Sequence, residues 1–114
     1  MPPRDWKMRL SDILEAAEKI DRYVTGMDLA AFCRDSKTVD AVVRNLEVIG
    51  EAASAVPEWV QEKFPEVPWF EMRGMRNVLA HEYFGVSLKI TWQTTQDDLP
   101  EMVRKLKGIL EHER

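Results

Sequence analysis

Between Trp6 and Val24 the apolar residues Trp6, Leu10, Ile13, Leu14, Ala17, Ile20 and Val24 recur at steps of three and four, with Lys7, Glu15, Glu18 and Asp21 filling the other side. That spacing follows the 3.6-residue turn of an α-helix, so the stretch needs helical neighbours against which to bury its stripe. The spacing returns in Val39, Val42, Val43, Leu46, Ile49, Gly50 and Ala53. No run alternates with period two, and no internal repeat or low-complexity stretch breaks the chain. The expectation is an all-α fold, an antiparallel helical bundle with additional short helices, forming a single domain over residues 1–114.

The punctuation divides the bundle. Gly26 stops the first helix, and Asp28 can cap a short helical piece through Cys33. Ser36 or Thr38 can cap the second long helix, which runs to Pro57. Within it, Gly50-Glu51-Ala52-Ala53-Ser54-Ala55 is rich in small side chains, which predicts close approach of another helix, with Glu51 in their midst as a supporting candidate. Pro57, Pro65 and Pro68 make 57–64 a short helix and 65–68 a turn. A third long helix is expected from Pro68 or Trp69 to about Tyr83–Gly85, carrying Phe70, Met72, Met75, Val78 and Leu79 towards the core. Leu88, Ile90, Trp92, Leu99, Met102, Val103, Leu106, Ile109 and Leu110 close the fold, with a kink or a helix break at Pro100.

Charge narrows the function. Twenty acidic against 16 basic residues give a net charge of −4, which argues against holding long nucleic acid by general phosphate attraction; any RNA contact must be local. Cys33 is the lone cysteine, so no internal disulfide is possible and a reducing compartment is indicated. With one cysteine and two histidines, the second of them His112 in a charged tail expected to fray, no usual metal-ligand spacing can be built, and no cofactor is implied. The N-terminus lacks an apolar signal core and no apolar run is long enough to span a membrane, so a cytoplasmic location is expected. A helical domain of 114 residues leaves much of its surface exposed and would gain from burying a further apolar face against a second copy, which favours a homodimer.

The chemically loaded segment is Arg76-Asn77-Val78-Leu79-Ala80-His81-Glu82-Tyr83. On an ideal helix Asn77 and His81 share a face with Arg73 one turn earlier. Arg76 and His81, five apart, diverge on such a helix by roughly 140°. They converge on one substrate only if the helix unwinds or a second subunit completes the site. RNA can be cut without metal when a base takes the 2′-hydroxyl proton, the oxygen attacks phosphorus and an acid protonates the leaving 5′-oxygen. Histidine suits either transfer because its unperturbed pKa of about 6.5 lies near working pH. Arginine meets phosphate with a two-pronged hydrogen bond. Asn77 can orient the ring, and Tyr83 can position phosphate or accept a modification. On pattern alone, a lone histidine near a helix end is more often a cap, Trp59, Trp69 and Trp92 are more often core than base-stacking groups, and Arg44 and Arg73 are solvated or ion-paired by default.

Gly74-Met75-Arg76-Asn77-Val78-Leu79-Ala80-His81-Glu82-Tyr83-Phe84-Gly85-Val86 resembles the hallmark of HepT-like proteins of the HEPN superfamily, in which arginine, four to six residues, histidine, one residue and tyrosine recur. Arg44 to Ala52 resembles the family's preceding helix, Pro68-Trp69 the start of its catalytic helix, and Trp92 with Asp98-Leu99-Pro100 its C-terminal helix. The resemblance implies a HEPN-type helical fold, a homodimer with the motifs near its interface, and metal-independent RNA cleavage by the toxin of a toxin–antitoxin pair. It implies Arg76 and His81 as the catalytic pair, Asn77 as the polar residue beside the arginine, and Tyr83 as the motif tyrosine. It further implies a partner, a minimal nucleotidyltransferase antitoxin of the MntA type, which can transfer AMP from ATP onto Tyr83. Two readings without catalysis stay open: a module that binds and regulates the nucleotidyltransferase, and a plain dimeric helical scaffold.

Overall fold

The computed structural model describes residues 5–77 and 86–113. Seven α-helices are present among them: α1 (Trp6–Val24), α2 (Leu29–Arg34), α3 (Ser36–Ser54), α4 (Glu58–Lys63), α5 (Trp69–Gly74), α6 (Val86–Gln93) and α7 (Leu99–His112). A 3₁₀ turn, Met75–Asn77, continues α5, and a π turn, Thr94–Asp98, joins α6 to α7. The described residues contain no strand.

Helices α1 and α3 form the spine, with α7 packed on α1, α2 on α3 and α6, and α5 with its 3₁₀ turn on α3. The periodic stripes meet as their spacing requires. Leu10, Ile13, Ala17, Ile20 and Val24 of α1 are buried together with Val42, Val43, Leu46, Ile49 and Ala53 of α3, and Met102, Leu106 and Ile109 of α7 complete the core. Trp6 and Leu14, read as part of the first stripe, are only half-buried at its edges.

The helix boundaries follow local chemistry. Gly26 takes a φ of 83° and ends the turn after α1. That left-handed conformation is natural to glycine, which has no Cβ to clash. Asp28 caps α2 by accepting from the Ala31 N–H at 2.8 Å, supplying a partner to a backbone donor that the first turn leaves free. The cap of α3 is Asp35, not Ser36 or Thr38. Its carboxylate accepts from both the Thr38 N–H at 3.0 Å and the Thr38 hydroxyl at 2.8 Å, so Ser36 already lies inside the helix. These bonds, from the backbone first and the hydroxyl second, hold the Asp35 carboxyl below its usual range.

At the other end of the chain, the Leu99 N–H reaches back five residues to the Thr94 carbonyl. The wide turn absorbs the break expected at Pro100, which then falls in the first turn of α7, where its missing N–H costs no helical hydrogen bond. Helix α7 holds through His112 and does not fray there. Lys63 ion-pairs with Glu113 at 3.1 Å and Lys7 donates to the Glu113 carbonyl at 3.1 Å, tying the tail to α4 and α1. Three apolar residues assigned to the core lie outside it, Trp59 among them at 56% exposed. Ile90 is exposed, and so is Phe70, because the residues of α5 and its turn that face α3 are Trp69, Met72 and Met75, all buried.

Candidate active site

The 3₁₀ turn that carries Arg76 is positioned by contacts at both ends of α5. At the start, the Trp69 indole N–H donates to the Phe64 carbonyl at 2.9 Å, fixing α5 against the segment after α4. At the end, Arg73 donates through Nη1 to the Gln61 side-chain carbonyl, and the Gln61 amide donates to the Val56 carbonyl at 3.0 Å. Arg73, expected as a supporting residue, is therefore half-buried with one edge of its guanidinium held by α4. Nothing in the sequence singled out Gln61.

The closest approach in the site is between backbones. A Cβ placed on Gly50 would stand 2.5 Å from the Arg76 nitrogen and 2.7 Å from the Arg76 Cβ, closer than real Cβ contacts come. Only glycine lets the turn settle this deeply on α3. The small-residue stretch of α3 thus has a specific use: it admits the backbone of Arg76. Met75, buried beside it, anchors the turn, and Arg76 and Asn77 face outward.

Arg76 is exposed and makes no hydrogen bond or ion pair with the described residues, so its guanidinium keeps its donors for an incoming group. Arg44, by contrast, pairs with Glu47 at 3.4 Å. Asn77 is also exposed, next to Arg76. Glu51 is exposed and lines a polar cavity between α1 and α3 with Arg9, Asp12, Arg44 and Asn45; neither Arg76 nor Asn77 lines that cavity. His81 and Tyr83 lie outside the described residues.

The third long helix expected through Tyr83 does not persist as a straight α-helix. It tightens to 3₁₀ at Met75, directly after Gly74, so ideal-helix angles do not hold at Arg76. Among the described residues no three His, Cys, Asp or Glu side chains lie close enough to hold a metal ion, and no helix is long and apolar enough to cross a membrane.

The fold, all helical across the described residues, is of the HEPN type. The family described as Ribonuclease HepT-like matches residues 13–109, and the chain belongs to it. "Putative RNase MJ1216" of Methanocaldococcus jannaschii is 40% identical over 110 residues, covering 96% of this chain and 91% of its own length. "Probable ribonuclease HepT" of Thermococcus cleftensis is 40% identical over 106 residues, 93% of this chain and 96% of its own. "Putative RNase TTE0752" of Caldanaerobacter subterraneus is 41% identical over 105 residues, with 92% and 94% covered. No solved structure matches the chain.

Proposed function

We propose that this chain is a metal-independent endoribonuclease, the toxin of a toxin–antitoxin pair, acting as a cytoplasmic homodimer. The observation that carries this reading is Arg76: an exposed guanidinium with no partner among the described residues, on a turn seated against Gly50, in a chain of the HepT-like ribonuclease family. A guanidinium with no partner among the described residues has no ion pair with them to break when phosphate arrives, and the seat on α3 fixes the backbone from which it extends.

In this mechanism Arg76 binds the non-bridging oxygens of the scissile phosphate. One proton-transfer group takes the 2′-hydroxyl proton, the 2′-oxygen bonds to phosphorus, and the bond to the 5′-oxygen breaks as that oxygen gains a proton. The products are a 2′,3′-cyclic phosphate and a 5′-hydroxyl. His81 performs one of the two transfers, and Asn77 orients the ring or the phosphate. Charge grows on the phosphate oxygens in the transition state, so Arg76 contributes more there than in the ground state. Tyr83 is the acceptor of AMP from a MntA-type nucleotidyltransferase antitoxin; the added negative charge and bulk would exclude RNA.

Single-turnover cleavage tests the role of Arg76. Arg76→Ala is expected to lower the rate constant by about 10²- to 10³-fold with the fold intact, and Arg76→Lys to recover only part of it, because lysine lacks the planar fork. Equal rates for Arg76→Ala and wild type would remove Arg76 from the mechanism. For Tyr83, incubation with the antitoxin and labelled ATP should transfer label to wild type and not to Tyr83→Phe.

A further inference from the structure

Phe70 is 76% exposed, more than any other large apolar residue described, although it stands on a helix whose neighbouring positions Trp69 and Met72 are buried. Helical spacing puts Phe70, Gly74 and Asn77, at i, i+4 and i+7, on one stripe of α5 and its turn. A Cβ on Gly74 would meet nothing within 4 Å, so the stripe is a ring, then bare backbone, then an amide, open to solvent along its length.

Charge divides around that stripe. On one side stand Arg73 and Arg76, the latter with no partner among the described residues, three residues apart and therefore neighbours. On the other stands Glu71, beside a cleft between α5 and α7 that Gly74 of the stripe borders and that Asp98, Glu101 and Lys105 also line, three carboxylates to one cation. A ligand with a flat apolar face and a negatively charged chain would find the face on Phe70, attraction towards Arg76, and repulsion from the Glu71 side. A nucleotide within single-stranded RNA has that constitution; a protein helix needs a broader apolar surface than one ring.

We infer that Phe70 is a base-stacking platform that holds a nucleotide of single-stranded RNA beside the phosphate bound by Arg76, and so sets where the strand is cut. The inference rests on the ribonuclease reading above. By helical rise Phe70 lies about 10 Å along the axis from Arg76, a span that places the stacked base one or two nucleotides from the scissile phosphate. An aromatic face accepts any base, so Phe70 supplies affinity and register with little sequence preference, and purines stack better than pyrimidines.

The test uses the full chain and a single-stranded oligonucleotide made uncleavable by a 2′-deoxy sugar at the attacking position, with 2-aminopurine moved along the strand. Wild type should quench the fluorescence strongly at one position, one or two nucleotides from the cleavage point. Phe70→Ala should abolish that quenching and weaken binding by about 5- to 100-fold; being exposed, the position should tolerate alanine without loss of fold. Phe70→Trp should restore both effects, and Phe70→Leu, apolar but not aromatic, should restore neither. On cleavable RNA, Phe70→Ala should raise KM and scatter the cut positions.

Wild-type binding and cut positions in both Phe70→Ala and Phe70→Leu would overturn the inference while leaving the ribonuclease reading intact. A shift of Phe70→Ala to a smaller species in analytical ultracentrifugation would also overturn it, assigning the ring to contact with a second copy. Absence of RNA cleavage by the wild-type chain would instead overturn the ribonuclease reading on which the inference stands.

Discussion

At the scale of single residues, Gly50 and Asp98 carry the clearest consequences. Gly50→Ala would drive a methyl group into the backbone of Arg76, and neither the turn nor α3 can yield by rotating a side chain. The expected cost is about 1–3 kcal/mol, typical of overpacking, with a loss of cleavage larger than the loss of stability because Arg76 moves. Urea unfolding and single-turnover rates on the same variant separate the two. Asp98 is held above the usual carboxylate range by partial desolvation and by the negative charges of Asp97, Glu101 and Glu71. A raised folded-state value means that the stability this group contributes is present below its unfolded value and lost as pH rises through the folded one. Asp98→Asn should therefore stabilise the protein at pH 7, by about 0.5 kcal/mol or less at so exposed a site, and the gain should vanish below the carboxylate range and shrink with added salt. Thermal melts at pH 7 and pH 3.5 check the sign. A stabilisation that grows on acidification would refute it.

At the scale of elements, Asp35 tests how α3 begins. Its carboxyl is lowered by the Thr38 hydrogen bonds, so its contribution is present above the unfolded value and lost as pH falls through the folded one. Asp35→Ala should lower the thermal midpoint at pH 7, and the difference from wild type should close on acidification. The long helices were legible because burying one stripe of a helix forces a period that survives in the sequence, and α1 and α3 obey it from Leu10 to Val24 and from Val39 to Ala53. Their ends were less so. Asp35, Ser36 and Thr38 are all good caps, and choosing among them requires knowing which carboxylate or hydroxyl the backbone meets. Helix α5 misled for another reason: Trp69 and Phe70 are adjacent and both apolar, and only contact with α3 decides which is buried. The 3₁₀ tightening at Met75 likewise depends on the seat provided by Gly50, a contact between segments far apart in sequence. In the candidate site, the sequence singled out Arg76 and Asn77 by their chemistry and the Gly50 region by its small side chains; the clamp from Arg73 to Gln61 had no sequence signal, since glutamine at a helix surface is ordinary.

At the scale of the whole molecule, a net charge of −4 must be reconciled with an RNA substrate. The proposed reconciliation is that recognition is local, with Arg76, which has no partner among the described residues, taking phosphate while carboxylates flank the other side of the helix. RNA binding should accordingly depend only weakly on salt, with log affinity falling against log salt at a slope of about −0.7 to −1.4, the release expected for one or two phosphates on a single strand. A slope several times steeper, measured by titration between about 50 and 300 mM salt, would mean that an extended basic surface is in play. The proposed homodimer belongs to the same scale: a second copy would bury apolar surface that a helical domain of 114 residues leaves exposed. Cleavage of RNA by the side chains of a chain with this Arg76 turn is the proposed activity. Its most direct test is to incubate purified wild type and His81→Ala with total cellular RNA in EDTA and analyse the fragment ends. Wild-type fragments should end in cyclic phosphate, and a His81→Ala protein that is folded and equal in size should give none. Equal cleavage by both proteins, or none by wild type shown by mass spectrometry to carry no AMP on Tyr83, would contradict it.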